Sequence, residues 1–282
     1  MFPVSRKGES REEILKKLRE NVAKGIPIVG AGAGTGLSAK MEEAGGADLI
    51  IVYDSGWHRM NGRPSISGLL SMGDANGKVL ELAPIVLPIV KHTPVLAGVL
   101  AYDTYRFMDK FLEQLKELGF VGVQNFPGYG EFSGVHRREL DEIGYGMENE
   151  YEMIQLANRM DMLTCPYVFS EEQCRKMIDA GADIIVVHCG CTQGGTSGVQ
   201  SSCGLDHAVE YIQKMADLVH SLNKDALVIC HGGPVAEPED VRYLYERTTG
   251  VQGFFGASSV ERLPVERAIR KQVEDFKSLK LR

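Results

Sequence analysis

The residues of this chain best suited to chemistry stand where apolar runs stop. Asp54, Asp103, Asn125, His188 and His231 each end or follow such a run, and Cys189 and Cys191 lie just beyond His188. Aspartate, asparagine and histidine in such places bind metal, position a substrate carbonyl or exchange protons. One polar residue of this kind only caps the next helix; five in equivalent places point to a shared site. Two late runs also end in glycine. Ala226 to Cys230 leads into His231-Gly232-Gly233-Pro234, and Val251 to Phe255 leads into Gly256-Ala257-Ser258-Ser259. Glycines let backbone N–H groups approach an anion, and Ser258 or Ser259 is placed to cap a short helix whose positive end adds to the attraction. Gly232, Gly233, Gly256, Ala257, Ser258 and Ser259 are therefore expected to form a cup for a phosphate or carboxylate. Ordinary turn glycines and a helix cap are the plainer alternative.

Two other chemistries are weighed on the same residues. His188, Cys189, Cys191, Cys203 and His231 invite zinc, but the spacing lacks the paired C-x-x-C arms of a structural site. A nucleophilic thiol with His188 or His231 as its base is the other option. Small residues filling a tight turn explain the pattern more simply. Ala31-Gly32-Ala33-Gly34-Thr35-Gly36 looks superficially like a dinucleotide loop. Its third glycine falls one residue early, and no acid follows a second strand in the expected role. A tight, solvent-facing loop is expected there instead.

Positioning these residues requires strands that end at one level. Apolar runs are expected as strands at residues 26–30, 48–53, 94–100, 119–124, 162–167, 183–188, 226–230 and 251–255. Amphipathic segments alternate with them, including 107–118, 147–159, 205–222 and 265–280. Two capping boxes, Ser10-Arg11-Glu12-Glu13 and Ser170-Glu171-Glu172-Gln173, open helices that Gly25 and Gly181 close. The first of these precedes the first strand and is expected to plug a barrel floor. A long Gly-, Ser- and Asn-rich loop is expected from Asp54 to Gly77, carrying Trp57, His58 and Arg59 as a lid or a stapled excursion. The segment 78–91 is a helix kinked by Pro84 and Pro88. Eight strand-helix units make a (β/α)8 TIM barrel with an extra N-terminal helix, ahead of a doubly wound open sheet. No linker or repeat divides the chain, so residues 1–282 read as a single domain.

Composition narrows the function classes. A net charge of -7 and pI near 5.6 argue against nucleic acid as the main partner. A small anionic substrate remains compatible, because local potential governs its binding. The six cysteines suit reduced thiols rather than a disulfide framework. With no apolar leader or long uncharged apolar span, neither export nor membrane association is expected, and the cytoplasm is the expected location. A homo-oligomer is expected, with the N-terminal and proline-kinked helices as contact surfaces.

Four motifs together carry a likeness: Gly-Val-Gln-Asn-Phe-Pro from Gly122, Val-Val-His-Cys-Gly from Val186, His-Gly-Gly-Pro from His231 and Gly-Ala-Ser-Ser from Gly256. The chain resembles the phosphoenolpyruvate hydrolase-like proteins, or TIM-barrel signal-transduction proteins, over nearly its full length. The resemblance implies a barrel allied to the phosphoenolpyruvate/pyruvate superfamily, whose enzymes chelate an oxoacid or enolate with Mg²⁺. It also implies that some relatives work by binding. By that resemblance Asp103 takes the third-strand metal position and Asp54 a second-strand catalytic position. Asn125 stands where the fourth-strand acid belongs, with Glu148 the candidate to reach in. The expected activity is cleavage of a P–O, P–C or C–C bond in a phosphorylated or carboxylated oxoacid. Asp54, Asp103, His188 and His231 would be catalytic, Asp103 would hold Mg²⁺, and Asn125 with the two glycine turns would bind substrate. A non-catalytic ligand-binding or signalling barrel is the alternative. A nucleotide-dependent oxidoreductase rests on the Gly30 to Gly36 loop alone.

Overall fold

Short apolar strands alternate with helices, and every strand pairs with its neighbours in parallel. In the computed structural model, which describes residues 9–200 and 203–281, the strands are β1 (Ile28–Ala33), β2 (Leu49–Val52), β3 (Val95–Gly98), β4 (Gly122–Gln124), β5 (Leu163–Thr164), β6 (Tyr167–Val168), β7 (Ile184–His188), β8 (Leu227–His231) and β9 (Gly253–Gly256). Their order is β5-β4-β3-β2-β1-β9-β8-β7-β6. The two outermost pieces are separated only by Cys165-Pro166. Cys165 N–H donates to Val123 O at 3.0 Å on one side, and Pro166 O accepts from Val186 N–H at 2.9 Å on the other. Proline brings no N–H to the ladder, which divides the strand without opening the sheet. β5 and β6 are thus one stave, and the sheet closes as the expected (β/α)8 barrel. The first eight residues, where no leader was expected, and Ser201 and Ser202 of the loop after the sixth stave lie outside the described residues.

Alternation along each strand builds two cores. Leu49 and Ile51, Ile184 and Val186, and Leu227 and Ile229 point inward with Tyr167 and Phe255. Ile50 and Val52, Ile185 and Val187, and Val228 and Cys230 point outward under the helices. Successive side chains on a strand face opposite ways, so a run apolar at every position is buried on both faces. Helix α1 (Arg11–Ala23) starts with the Ser10–Glu13 capping box and buries Ile14, Leu15 and Leu18. These three join the inner core, so α1 closes the barrel floor. Arg11 fastens it by donating to both oxygens of Asp183, Nε at 2.8 Å and Nη2 at 2.6 Å.

The remaining helices are α2 (Gly36–Ala44), α3 (Asp54–Met60), α4 (Ala75–Val86), α5 (Met108–Leu118), α6 (Gly134–Glu142), α7 (Met147–Arg159), α8 (Glu171–Asp179), α9 (Leu205–Leu222), α10 (Pro238–Tyr245) and α11 (Arg262–Ser278). Three expectations need correction. The stretch expected as a loop from Asp54 to Gly77 is mostly helical: α3 forms at once after β2, a 3₁₀ turn spans Ser65–Leu69, and α4 already begins at Ala75. The glycine run expected as a solvent-facing loop instead completes β1 and does not face solvent, because Gly32, Ala33 and Gly34 are buried. A Cβ on Gly34 would lie 1.9 Å from Gly56 O, so these glycines let α3 cross close against the end of β1. Neither Ser258 nor Ser259 caps a helix, because α11 starts three residues later with Glu261 at its N-cap and no side-chain cap bond.

Candidate functional site

Parallel neighbours in register bring strand ends to one height, and His188 of β7 sits beside His231 of β8. Their rings lie 4.6 Å apart between centroids, and Tyr167 packs at 4.8 Å from His188 and 5.0 Å from His231. Above them, at the carboxyl ends of the strands, is a cavity of about 270 Å³. Tyr53, Phe126 and Tyr167 form its inner wall; Arg59, Ser65 and Ser258 form one side; Glu131, His188, Cys191 and His231 form the other. A wider opening of about 450 Å³ lies on the opposite face, around Arg11, Asn158 and Asp225. It is the seam where α1 meets the barrel floor. In barrels of this kind chemistry belongs at the carboxyl ends, and the histidines are there.

The two imidazoles have opposite tautomers. His231 Nδ1 lies 2.7 Å from Phe255 O, an acceptor only, so Nδ1 carries the hydrogen and Nε2 is the basic nitrogen. The Gly190 N–H donates to His188 Nδ1 at 2.9 Å, so a neutral His188 carries its hydrogen on Nε2. That Nε2 lies 3.6 Å from Glu131 Oε1. Burial pushes His231 down to about 4, and burial with the neighbouring His231 holds His188 well below its ordinary value. Burial also pushes the Glu131 carboxyl up to about 7. The mouth therefore holds two neutral rings and a carboxyl that changes charge near neutrality.

The opposite side is built on a fully buried ion pair. Arg59 donates from Nε to Glu261 Oε2 at 2.8 Å, its Nη2 lies 2.6 Å from the same oxygen, and Nη2 also donates to Gly32 O at 2.9 Å. Gly34 N–H donates to the other oxygen of Glu261 at 2.7 Å. Arg59 Nη1 makes a long contact, 3.4 Å, to Ser65 Oγ, which is itself 3.2 Å from Ser258 Oγ, and the Tyr53 hydroxyl is a further partner of the guanidinium. Two hydroxyls thus stand in line on the cavity wall, backed by a guanidinium whose side chain is itself fully buried.

Of the expected residues, the cavity collects His188, His231, Ala257 and Ser258. Asp54 is buried just behind it, with Oδ1 unpartnered and the carboxyl pushed up to about 6 by burial. Asp103 is not on the wall. It accepts from Asn76 Nδ2 at 2.9 Å, Arg106 Nη1 at 2.6 Å and Tyr105 N–H at 2.9 Å, and so shapes the turn after β3. Asn125 bridges β4 and β6, donating to Glu150 Oε2 at 2.6 Å and to Tyr167 O at 3.2 Å and accepting from Tyr167 N–H at 2.7 Å. Glu148 points outward to Lys176. Gly232 and Gly233 have φ of +77° and +59°, and a Cβ on either would fall 2.2–2.3 Å from Gly190 O or Cys189 O. Their role is close packing with the Cys189 loop, and the Gly233 N–H donates to Gly190 O at 2.7 Å rather than into the cavity. Gly256 packs on Val260 in the same way, and Ser259 Oγ is buried without a partner. Cys191 is on the wall, its thiol pushed up to about 11 by burial and then by Glu131, which leaves it protonated at neutral pH. Glu131, Tyr53 and Tyr167 were not singled out from sequence, and Arg59 was named only with Trp57 and His58 on the stretch expected as a lid or a stapled excursion. Glu131 had one local signal, as the only charged residue between Asn125 and Val135.

The Mg²⁺ position implied by the resemblance does not fit the residues as placed. Asp103 is held by an arginine and an amide, and both ends of the Asn125 amide are engaged. Among the described residues no group of three or more His, Cys, Asp or Glu is arranged to hold a metal ion.

The model of the phosphoenolpyruvate hydrolase-like family matches residues 13–279. Two tomato (Solanum lycopersicum) proteins, ToMV susceptible protein tm-1(GCR26) and ToMV resistance protein Tm-1(GCR237), are each 53% identical over 273 residues, 97% of this chain and 36% of theirs. The chain therefore spans about a third of the length of these relatives. Among solved structures, phosphonopyruvate hydrolase in complex with oxalate and Mg²⁺ matches at TM-score 0.59 and 16% identity, over 95% of this chain and 87% of that one. Oxaloacetate acetylhydrolase matches at TM-score 0.59 and 14% identity, over 93% and 86%. At such identities these two share the fold.

Proposed function

From its membership of the phosphoenolpyruvate hydrolase-like family, to which this chain belongs, we propose that the barrel mouth binds a small phosphorylated or carboxylated oxoacid and cleaves a P–O, P–C or C–C bond. One observation supports this above the others: His188, Glu131, His231 and Arg59 converge on a single cavity. The substrate anion lies against Arg59 Nη1, Ser65 and Ser258. Glu131 and His188 Nε2 form the proton relay, because a carboxyl near pH 7 both gives and takes a proton at little cost. His231, fixed by Phe255 O, presents a neutral acceptor. Asp54 is a reserve acid behind the wall. No step is routed through a metal, since Asp103 and Asn125 are committed to internal partners. The test is turnover of phosphoenolpyruvate, phosphonopyruvate and 2-oxoacid aldols by the protein and by Glu131→Gln and His231→Ala. A loss of about 10²–10⁴-fold in turnover for Glu131→Gln is expected, and unchanged turnover in both variants dismisses the relay.

A second reading, a ligand-binding or signalling barrel without catalysis, is favoured by the same engagement of Asp103 and Asn125. A ligand that raises the melting temperature but is never consumed would decide for it. The reading includes a cytoplasmic location, for which the six free cysteines speak; among the described residues no helix is long and apolar enough to cross a membrane. It also includes self-association. Helix α11 buries only Arg262 and Leu263 and exposes Val265, Ile269, Val273 and Phe276 along one stripe. Light scattering after gel filtration tests this, a monomer at micromolar concentration being the contrary result.

A further inference from the structure

We infer that the occupant of the mouth is a monocarboxylate with an apolar or aromatic body, rather than a phosphorylated polyanion. This rests on the proposed use of the mouth as an anion site and specifies its ligand class. The first argument is charge. Arg59 is the single cation among the described residues lining the cavity, and Glu261 already neutralises it through two contacts at 2.8 and 2.6 Å. The two histidines add no positive charge, because one ring accepts from Gly190 N–H and the other donates to Phe255 O, and burial keeps both neutral. Glu131 has the sign of the ligand. Arg59, Glu261 and Glu131 therefore sum to zero when Glu131 is protonated and to one negative charge when it is not.

A phosphate monoester carries about 1.5–2 negative charges at pH 7, to which an oxoacid adds a carboxylate. Enclosing such a polyanion without matching cations costs several kcal/mol per unpaired charge. One carboxylate needs less, and less is what remains. Arg59 Nη1 lies 3.4 Å from Ser65 Oγ, with Ser258 Oγ 3.2 Å further on, and the Tyr53 hydroxyl takes a further share of the guanidinium. The second argument is the wall itself. Phe126 and Tyr167 meet edge to face at 5.9 Å on the inner side, and Ile66 and Val199 line the opening. A small polar phosphate leaves that hydrocarbon unmatched, whereas a ring or branched chain fills it. At about 270 Å³ the cavity is slightly below the ~300–1,000 Å³ of pockets for drug-sized ligands.

The test uses the whole chain, with melting temperature and calorimetric binding measured for phenylpyruvate, 4-methyl-2-oxopentanoate, phosphoenolpyruvate, phosphonopyruvate and inorganic phosphate. The two monocarboxylates are expected to raise the melting temperature and to bind at least about tenfold tighter than phosphoenolpyruvate. Ser258→Ala is expected to weaken them roughly tenfold, the loss of one hydrogen bond to a charged group. Val199→Trp, at a partly exposed position, is expected to block the opening and abolish binding without lowering the melting temperature of the free protein. Tighter binding of phosphoenolpyruvate or phosphonopyruvate, lost in the same variants, overturns the ligand class and leaves the anion site standing. No binding by any of the five, or binding indifferent to both variants, overturns the ligand class and the proposed mouth together.

Discussion

Replacing Glu42 by glutamine should flatten the pH dependence of stability. Glu42 is 7% exposed on α2, and neither carboxyl oxygen has a hydrogen-bond partner. Burial, and then the Glu261 charge, push it from 4.5 up to about 8, with Arg59 pulling the other way. The unfolded chain gives up this proton above about 4.5, whereas the folded chain keeps it until about 8. Stability is thus undiminished below the lower value and is lost as pH rises towards the upper one. At about 1.4 kcal/mol per pKa unit the whole interval is worth about 5 kcal/mol, and about 3–4 kcal/mol of it falls between pH 5 and pH 8. Glutamine is neutral throughout. It removes that slope, while its unpartnered amide adds a pH-independent cost of about 1–3 kcal/mol, so the variant is the less stable protein near pH 5 and the more stable one near pH 8. Urea unfolding, followed by the fluorescence of the sole tryptophan, Trp57, gives both numbers at each pH. Asp54, Glu131 and Glu150 are also raised and tilt both proteins alike, so the difference between the two slopes is the readout. Parallel slopes for the two proteins would falsify the placement of Glu42 as a buried neutral acid behind the Arg59–Glu261 pair.

Other consequences are simpler to check. If Glu131 supplies a proton, turnover falls as pH rises through about 7, and that limb is absent from the residual activity of Glu131→Gln. Gly34→Ala should lower stability by about 1–3 kcal/mol or more, because its methyl would meet Gly56 O at 1.9 Å in backbone that has no room to yield; a neutral result in chemical denaturation contradicts the close crossing. Arg11→Met should cost about 2 kcal/mol by stripping Asp183 of two charged donors at the floor. Since it lies at the far end of the barrel, ligand-induced melting shifts should survive it, and their loss would mean the two ends are coupled. Gly233→Ala, at φ +59° and 2.3 Å from Cys189 O, should displace the Cys189 loop and cost both stability and ligand binding.

Much of the scaffold was legible because its signals are local. The Ser10 box, the α7 and α9 boundaries and the apolar runs ending at His188 and His231 follow from periodicity and capping within a few residues. The stretch after Asp54 misled because its glycines and serines read as loop. They belong instead to a short helix and a 3₁₀ turn packed tightly on the barrel. The glycines after β8 misled in another way. Glycine serves close backbone approach whether the neighbour is an anion or a carbonyl, and here the neighbours are Gly190 O and Cys189 O.

What the sequence alone determined is therefore the ring of eight staves and the height at which its polar residues stand, since both follow from the period of apolar side chains and from the turns that end them. What only the tertiary structure decided is which of those polar residues face one another. Asp103 meets Arg106 and Asn76, whereas Arg59 meets Glu261 across 202 residues of chain and Glu131 comes to rest 3.6 Å from His188. Protonation, charge balance and hydrogen-bond commitment depend on distances between side chains, and residues remote in sequence set those distances once the barrel has closed.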